Sequence, residues 1–253
     1  MIFKFILFEG GNDGLLYVHF AHMISSYLSE GNYILAFMGG EKAYDLMPFY
    51  RYIWVANYIL FGESPWMLYF IITFLPLIIY NILKQLLDKR WANYFMLFWF
   101  FIPIFEAFGF FHFYYVKLTI RGFGEPLSYL FFLTALYIFI LIHKSKDQLS
   151  IANAFLFGLC LALSIGLRAN ILPACLIMGG FFLFKLWQER LMYNIILMAF
   201  GFSLILILPI HNYIFTNKFI PLTIAAYKDW NLGARPSDYY ILLKSLLTFS
   251  LNL

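Results

Sequence analysis

Long uncharged apolar runs constrain the fold of this chain more than any other feature. A helix needs roughly 20 apolar residues to cross a bilayer. The runs of about that length are 66–83, 92–111, 126–142, 151–167, 170–186 and 192–213. A shorter run, 53–61, and the C-terminal run 239–253 are candidates for an interfacial helix and a further span. The pattern predicts an all-α, polytopic transmembrane helix bundle of about 6–8 spans.

The composition indicates the same class. Only 12% of the 253 residues are charged and 63% are hydrophobic, whereas a soluble domain carries about 25% charged residues. The net charge of +4 is too small to indicate nucleic acid as a partner, so the cations are better placed to meet lipid headgroups or phosphates. Cys160 and Cys175 lie inside apolar runs without metal-ligand spacing, and we expect them to pack as small hydrophobic side chains.

Two kinds of connection alternate between the apolar runs. One kind is short and basic, and the positive-inside rule places it in the cytoplasm. It comprises 84–90, 144–146 and 185–190. The other kind then faces outward and comprises 1–52, 112–125, 168–170 and 214–238. Outward cations such as Lys117 and Arg121 leave two interpretations open: the orientation is reversed, or these cations bind an anionic lipid.

A polar segment, 9–52, precedes the helix bundle 53–253, and we predict one transmembrane domain over 1–253. Within the polar segment, the spacing of polar and apolar residues over 14–30 predicts an amphipathic helix on the membrane surface. His19 and His22 lie one turn apart there, and packing is favoured over zinc binding because no third ligand is nearby. Both ends of the chain look incomplete, since no full span precedes the polar segment and the chain stops inside an apolar run.

Asp13 is the first candidate for chemistry. It stands in the run Gly-Gly-Asn-Asp-Gly at 10–14, where glycines give a flexible turn with an exposed carboxylate. Such a carboxylate can act as a general base or bind a divalent cation. It can also cap the helix that begins near Leu15, and the two roles are compatible.

Further candidates stand at the predicted ends of spans. Arg51 precedes an apolar helix, where it can hold a phosphate or extend to the headgroups. Glu125 follows Gly122 and Gly124, and a carboxylate at a helix N-terminus is favourable in itself. Glu106 lies within an apolar run, which makes it a functional candidate. Arg168 stands in a tight turn between two apolar helices.

The order of these segments resembles that of membrane glycosyltransferases of the GT-C superfamily, and in particular the protein O-mannosyltransferases and aminoarabinose-transferase-like bacterial enzymes. The resemblance covers most of the chain. It is carried by GNDG at 11–14, MPFYRYIWVANYILFGES at 47–64, GEPLSYLFFLTALY at 124–137, GLCLALSIGLRANILP at 158–173 and HNYIFTNKFIPLT at 211–223. Without a full first span, the chain resembles a truncated member.

The resemblance implies a function. A sugar would pass from a polyprenyl-phosphate-linked donor to an acceptor at the outer face of a bacterial inner membrane, with the loop 9–52 facing outward as the catalytic-type loop. Asp13 would be the base or a ligand of a divalent metal ion, and Glu125 a second acid. Arg51, Arg168 and Arg121 would hold the donor phosphate.

Two other functions stay open. A transporter or flippase-like protein would also carry polar residues among membrane helices, although discontinuous helices and repeated halves are not evident in the sequence. A non-catalytic membrane subunit is consistent with the incomplete ends. Membrane lipid is an expected partner in every case, and a companion segment or subunit is expected if the chain is a fragment.

Overall fold

The computed structural model of the protein describes residues 12–105, 109–144 and 150–224, with residues 12, 13, 104, 105, 109 and 110 described by their backbone alone. Twelve α-helices account for most of the described part. They are α1 Asn12–Ser29, α2 Tyr33–Met38, α3 Phe49–Phe61, α4 Trp66–Ile72, α5 Phe74–Leu86, α6 Lys89–Phe101, α7 Phe111–Ile120, α8 Glu125–Lys144, α9 Ile151–Leu167, α10 Leu172–Gln188, α11 Met192–Phe202 and α12 Ile207–Thr216. Two short strands, β1 Pro103–Phe105 and β2 Gly109–Phe110, pair antiparallel.

Four helical segments are long and apolar enough to cross a membrane. They are Trp66–Leu86, Glu125–Lys144, Ala169–Gln188 and Met192–Thr216. A fifth apolar helix, α9, has 17 residues and is shorter than these four. The helical membrane class is therefore confirmed, whereas the count of six to eight spans is not. The predicted C-terminal run 239–253 lies outside the described residues.

The predicted span 92–111 is wrong. Its helix, α6, ends at Phe101, and Ile102 adopts an extended backbone with φ −98° and ψ 118°. Pro103 follows, and the ring of a proline disfavours helical backbone at the residue before it. The chain then enters the β1–β2 ribbon instead of continuing across a bilayer. Glu106, which was a candidate inside this run, lies outside the described residues.

The helix predicted over 14–30 is present as α1. Tyr17, Ala21 and Ile24 are buried at helical spacing, against α3. Gly14 lies on the same buried face of α1, where the helix contacts the backbone of Arg121. His19 and His22 lie on the exposed side, and His22 stacks on Tyr58 of α3 with ring centroids 4.4 Å apart. Within the described part of the segment 9–52, α1 is thus packed against α3, and the role of the segment as an outer catalytic-type loop stays a prediction.

The two kinds of connection lie at opposite ends of the bundle. At one end, the Lys144 ammonium donates to the Gln85 carbonyl, and Lys185 Nζ donates to the Ile142 carbonyl over 2.9 Å. These bonds gather the ends of α5, α8 and α10, where exposed carbonyls attract cations. At the other end, α8 begins at Glu125 beside the end of α9. The basic ends of α5, α8 and α10 thus lie together, at the opposite end of α8 from Glu125, while the side of the membrane that each end faces stays a prediction.

The centre of the bundle is packed around α9. A β-carbon on Gly158 would overlap the carbonyl of Met198, and one on Gly201 would overlap the carbonyl of Phe155. Small residues of this kind let helix backbones approach closely in a membrane protein. The α9–α11 pair therefore forms a tight, glycine-lined contact in the core.

Candidate functional site

Glu125 and Arg168, two of the predicted site residues, form an ion pair. Glu125 is the first residue of α8, and Arg168 directly follows the last residue of α9. Arg168 Nη2 donates to Glu125 Oε1, and the side chains are 32% and 19% exposed respectively. The second carboxylate oxygen, Glu125 Oε2, and the Arg168 Nε are buried and have no hydrogen-bond partner among the described residues. The pair is thus partly open to solvent and retains one free acceptor and one free donor.

A pair of serines one turn away fixes the register of these two helices. Ser128 Oγ donates to the Ser164 carbonyl over 2.9 Å, and Ser164 Oγ donates to the Ser128 carbonyl over 2.9 Å. Both serines are fully buried. Gly124 lets the start of α8 approach the end of α9, because a β-carbon there would lie 3.3 Å from the Leu167 carbonyl. The ion pair is therefore held by backbone contacts on both helices.

The N-terminus of α1 lies against the turn that leads to Glu125. A β-carbon on Gly14 would overlap the Arg121 carbonyl, and one on Gly122 would lie 2.5 Å from Gly14 Cα. Gly122 also has φ +89°, a backbone conformation that glycine adopts without strain. Asp13 stands in the first turn of α1, directly before Gly14. The structure thus brings the backbone of Asp13 next to Arg121, while the Asp13 side chain lies outside the described atoms.

Tyr50 joins α3 to the same turn. It is fully buried, and its hydroxyl donates to the Thr119 carbonyl in the last turn of α7. The ring of Tyr17 packs edge-on against it, with centroids 5.6 Å apart. Burial raises the pKa of the Tyr50 hydroxyl above its usual range, so it stays protonated as a donor. Tyr50 therefore ties α1 and α3 to the segment that carries Glu125.

Arg51, the next residue, is directed elsewhere. Its side chain is fully buried, with Nη1 donating to the Gly39 carbonyl over 2.8 Å and Nη2 to Glu41 Oε2 over 2.9 Å. The guanidinium carbon lies 4.3 Å from the centre of the Phe20 ring and 5.2 Å from that of Tyr44. A cation between aromatic faces is stabilised by the negative potential of the rings. Its contact with a donor phosphate stays a prediction, and this arrangement would have to open for such a contact.

A polar cluster of four residues, Tyr44, Tyr52, His211 and Asn212, was not singled out as a site from the sequence. The Tyr44 and Tyr52 hydroxyls lie 2.6 Å apart, and His211 Nε2 lies 3.1 Å from the Met38 carbonyl. Asn212 accepts from the Tyr44 N–H over 3.0 Å and donates to the carbonyls of Ile220 and Leu222. Burial raises the pKa of both tyrosine hydroxyls. The sequence signal was the adjacent His211-Asn212, but their partners Met38 and Tyr44 lie more than 160 residues away in the chain.

An apolar cavity of about 470 Å³ opens beside this cluster. Its walls come from α2, α3, α4, α8, α9 and the 204–207 segment, and they include Phe37, Tyr52, Ile53, Phe131 and Leu163. No charged residue lines it, and the Tyr52 hydroxyl is its one side-chain hydroxyl among the described residues. Phe49, another of its lining residues, lies against Gly166, two residues before Arg168. Its volume lies in the range of sites that enclose a small ligand.

A metal site is not evident in the described part of the chain. No three His, Cys, Asp or Glu side chains in 14–103, 111–144 and 150–224 lie together as a metal would require. Metal binding by Asp13 therefore stays a prediction.

The structure places the predicted site residues in two groups. Glu125 and Arg168 are in contact, with the backbones of Arg121 and Asp13 close by, whereas Arg51 belongs to the separate cluster around Glu41. Comparison with known proteins yields no family model, no curated protein and no solved structure that matches the chain.

Proposed function

We propose that the protein is a membrane glycosyltransferase that takes a sugar from a polyprenyl-phosphate-linked donor and transfers it to an acceptor hydroxyl. The observation that carries the proposal is the Glu125–Arg168 pair at the ends of two apolar helices, together with an apolar cavity whose wall residue Phe49 packs on Gly166 near the end of α9. A lipid-linked donor has the matching parts: a hydrocarbon chain for the cavity and a phosphate for a cation.

Arg168 supplies the cation in this proposal. Its side chain is about one-third exposed, so a phosphate can reach it. Arginine binds phosphate bidentately and stabilises the negative charge that develops on a leaving phosphate. Arg121 stands in the adjacent turn and is the second cation that we assign to the donor.

Glu125 supplies the base. Its carboxylate oxygen Oε2 has no hydrogen-bond partner among the described residues and can accept the proton of the acceptor hydroxyl. The oxygen of that hydroxyl then attacks the anomeric carbon of the donor sugar. The bond from that carbon to the phosphate oxygen breaks, and the lipid phosphate leaves with the electron pair. A phosphate bound to Arg168 competes with Glu125 for the guanidinium, which frees the carboxylate when the donor is present. Asp13 is the alternative base, as proposed from the sequence.

The test is transfer of a radiolabelled sugar from polyprenyl-phosphate donors by the purified protein in lipid vesicles. We expect Glu125→Gln and Arg168→Gln each to reduce the rate by at least about 100-fold, the usual scale for loss of an acid–base or charge-stabilising group. Glu63→Gln and Arg90→Gln are matched controls, because both residues are exposed and lie outside the proposed site. Wild-type rates in both site variants, or no transfer from any donor, would contradict the proposal.

A further inference from the structure

A groove between α8 and α10 opens on the outer side of the bundle. Its volume is about 330 Å³, and the described residues that line it are all apolar. Ile177 and Phe181 on its α10 side are 63% and 65% exposed, so the groove opens away from the packed core. Each helix contributes lining residues at helical spacing, among them Phe132, Leu136, Phe139, Ala174, Ile177 and Phe181.

The two helices that form the groove run in the same direction. Arg168, four residues before α10, contacts Glu125 at the start of α8. At the other end, Lys185 in the last turn of α10 donates from Nζ to the Ile142 carbonyl of α8 over 2.9 Å. The lining on α8 ends at Phe139, one turn before Ile142. The groove therefore leads along both helices toward their basic ends.

A cation and an imidazole stand where the apolar walls end. His143 follows Phe139 by four residues and Lys185 follows Phe181 by four, so both continue the walls of the groove by one helical turn. The His143 ring stacks on Phe139, with centroids 6.2 Å apart and planes 18° apart. The Lys185 ammonium has three N–H donors, and the Ile142 carbonyl is its one hydrogen-bond acceptor among the described residues. The end of the groove thus retains donors for a ligand.

The size of the groove fits a hydrocarbon chain and not a second helix. Between Phe132 and Phe139, α8 rises about 10 Å, and a helix of that length with a diameter of about 10–12 Å fills roughly 800–1,100 Å³. The groove has less than half of that volume. A hydrocarbon chain is only about 4 Å thick, because nonbonded carbons approach to about 3.5–4.0 Å. One acyl chain therefore fits between α8 and α10.

The charges at the basic end select the headgroup of the lipid. Lys144 ends α8 and Arg190 follows α10, so that with Lys185 three cations stand near one carboxylate, Glu189, among the described residues of these two helix ends. A zwitterionic headgroup would bring a further cation to this place, whereas basic residues near the surface attract anionic lipids. We propose that the groove binds one acyl chain of an anionic phospholipid, whose phosphate accepts a hydrogen bond from Lys185.

The test is lipid binding by the purified full-length chain in detergent, measured by native mass spectrometry. The probes are phosphatidylglycerol and phosphatidylcholine with identical acyl chains, and glycerol 3-phosphate as a headgroup without chains. We expect one phosphatidylglycerol per chain to bind at least about fivefold more tightly than phosphatidylcholine, the scale of one basic residue near an anionic lipid. Glycerol 3-phosphate at the same concentration should not displace it.

Two variants address the two parts of the site. Lys185→Gln retains an N–H donor but removes the charge, so it should weaken phosphatidylglycerol binding about fivefold and leave phosphatidylcholine binding unchanged. Ala174→Phe fills the groove and should weaken both lipids at least about tenfold, because the chain loses several buried methylene groups. Lys89→Gln, at an exposed lysine of α6, and Leu176→Phe, at an exposed α10 residue outside the lining, are the matched controls.

Three outcomes would overturn the inference. The first is equal affinity for the two lipids, or wild-type binding in both Lys185→Gln and Ala174→Phe. The second is displacement of the lipid by glycerol 3-phosphate at equal concentration, which would show that a phosphate binds without the groove. The third is a dimer that excludes lipid and dissociates in Ala174→Phe, which would identify a second copy of the chain as the occupant.

Discussion

The ring of Tyr44 lies flat against the imidazole of His211, with centroids 3.8 Å apart and planes 12° apart. The two residues come from opposite ends of the described chain, and this stack joins the segment after α2 to α12. The Tyr44 backbone repeats the connection, because its N–H donates to Asn212 and its carbonyl accepts from the Ile224 N–H over 2.8 Å. The N-terminal helices are thereby fastened to the last described helix.

Removing Arg51 should destabilise this region strongly. Arg51→Met leaves the Glu41 carboxylate and the Gly39 carbonyl without their partner, and breaking a buried ion pair costs about 3–5 kcal/mol. We expect a loss of that size in the free energy of unfolding, measured by denaturant titration in detergent. Arg90→Met is the control for a lost arginine, since Arg90 is exposed. Equal stability of the two variants would show that the Arg51 contacts contribute nothing.

Alkaline pH should weaken the fold through Tyr44. Burial, together with the neighbouring Tyr52, raises the pKa of the Tyr44 hydroxyl in the folded protein. The contribution of the Tyr44 hydroxyl to the free energy of unfolding is therefore complete below the unfolded-state pKa of about 10. Above that pH, the free energy of unfolding falls by up to about 1.4 kcal/mol per pH unit. Denaturation midpoints between pH 8 and 11 should fall less steeply for Tyr44→Phe than for the wild type. Tyr33→Phe, at an exposed ring, is the control for loss of a hydroxyl, and a wild-type slope in Tyr44→Phe would contradict the prediction.

The Ser128 and Ser164 pair should show energetic coupling. The two hydroxyls lie 3.2 Å apart and bond each other, so either alanine substitution removes this shared bond and the second substitution costs less than the first. Interhelical hydrogen bonds in membrane proteins contribute about 0.6 kcal/mol, and at most about 1.7. A double-mutant cycle with Ser128→Ala and Ser164→Ala, read out by unfolding in detergent, should give a coupling within that range. Ser128→Ala with Ser203→Ala is the additive control, because Ser203 bonds only within its own helix.

Gly158→Ala should separate α9 from α11. Its methyl group would overlap the Met198 carbonyl, and overpacking of a core costs about 1–3 kcal/mol. Gly180→Ala in α10 offers a matched control, because an added methyl there meets no atom within 4 Å. That variant should be neutral, or more stable by about 0.5–1 kcal/mol, because alanine favours a helix. Similar melting temperatures for the two variants would reject the tight contact.

The sequence predicted the features that depend on local pattern. Apolar runs marked the helices over 66–83, 126–142 and 170–186, and the short turn at Arg168 is present. The span 92–111 failed because hydropathy averages over a window, whereas a single Pro103 ends the helix.

The sequence predicted which residues belong to the candidate site, but not the contacts between them. Glu125 and Arg168 each stood at a helix end, and both ends lie on the same side of the bundle. Their contact could not be predicted, because it depends on the Ser128–Ser164 register between two helices. Arg51 illustrates the converse. Its acidic partner Glu41 stands ten residues earlier in the chain, but nothing local indicates that the Gly39 carbonyl accepts from the same guanidinium.

Tyr50 and Arg51 are consecutive residues that fasten α3 to two different parts of the molecule. A single turn of α3 therefore connects the Glu41 segment to the turn before Glu125. The next residues of the same helix, Tyr52 and Ile53, line the large apolar cavity. The wall of the cavity and both attachments therefore belong to the first turns of one helix, and a change in the position of α3 would alter all three together.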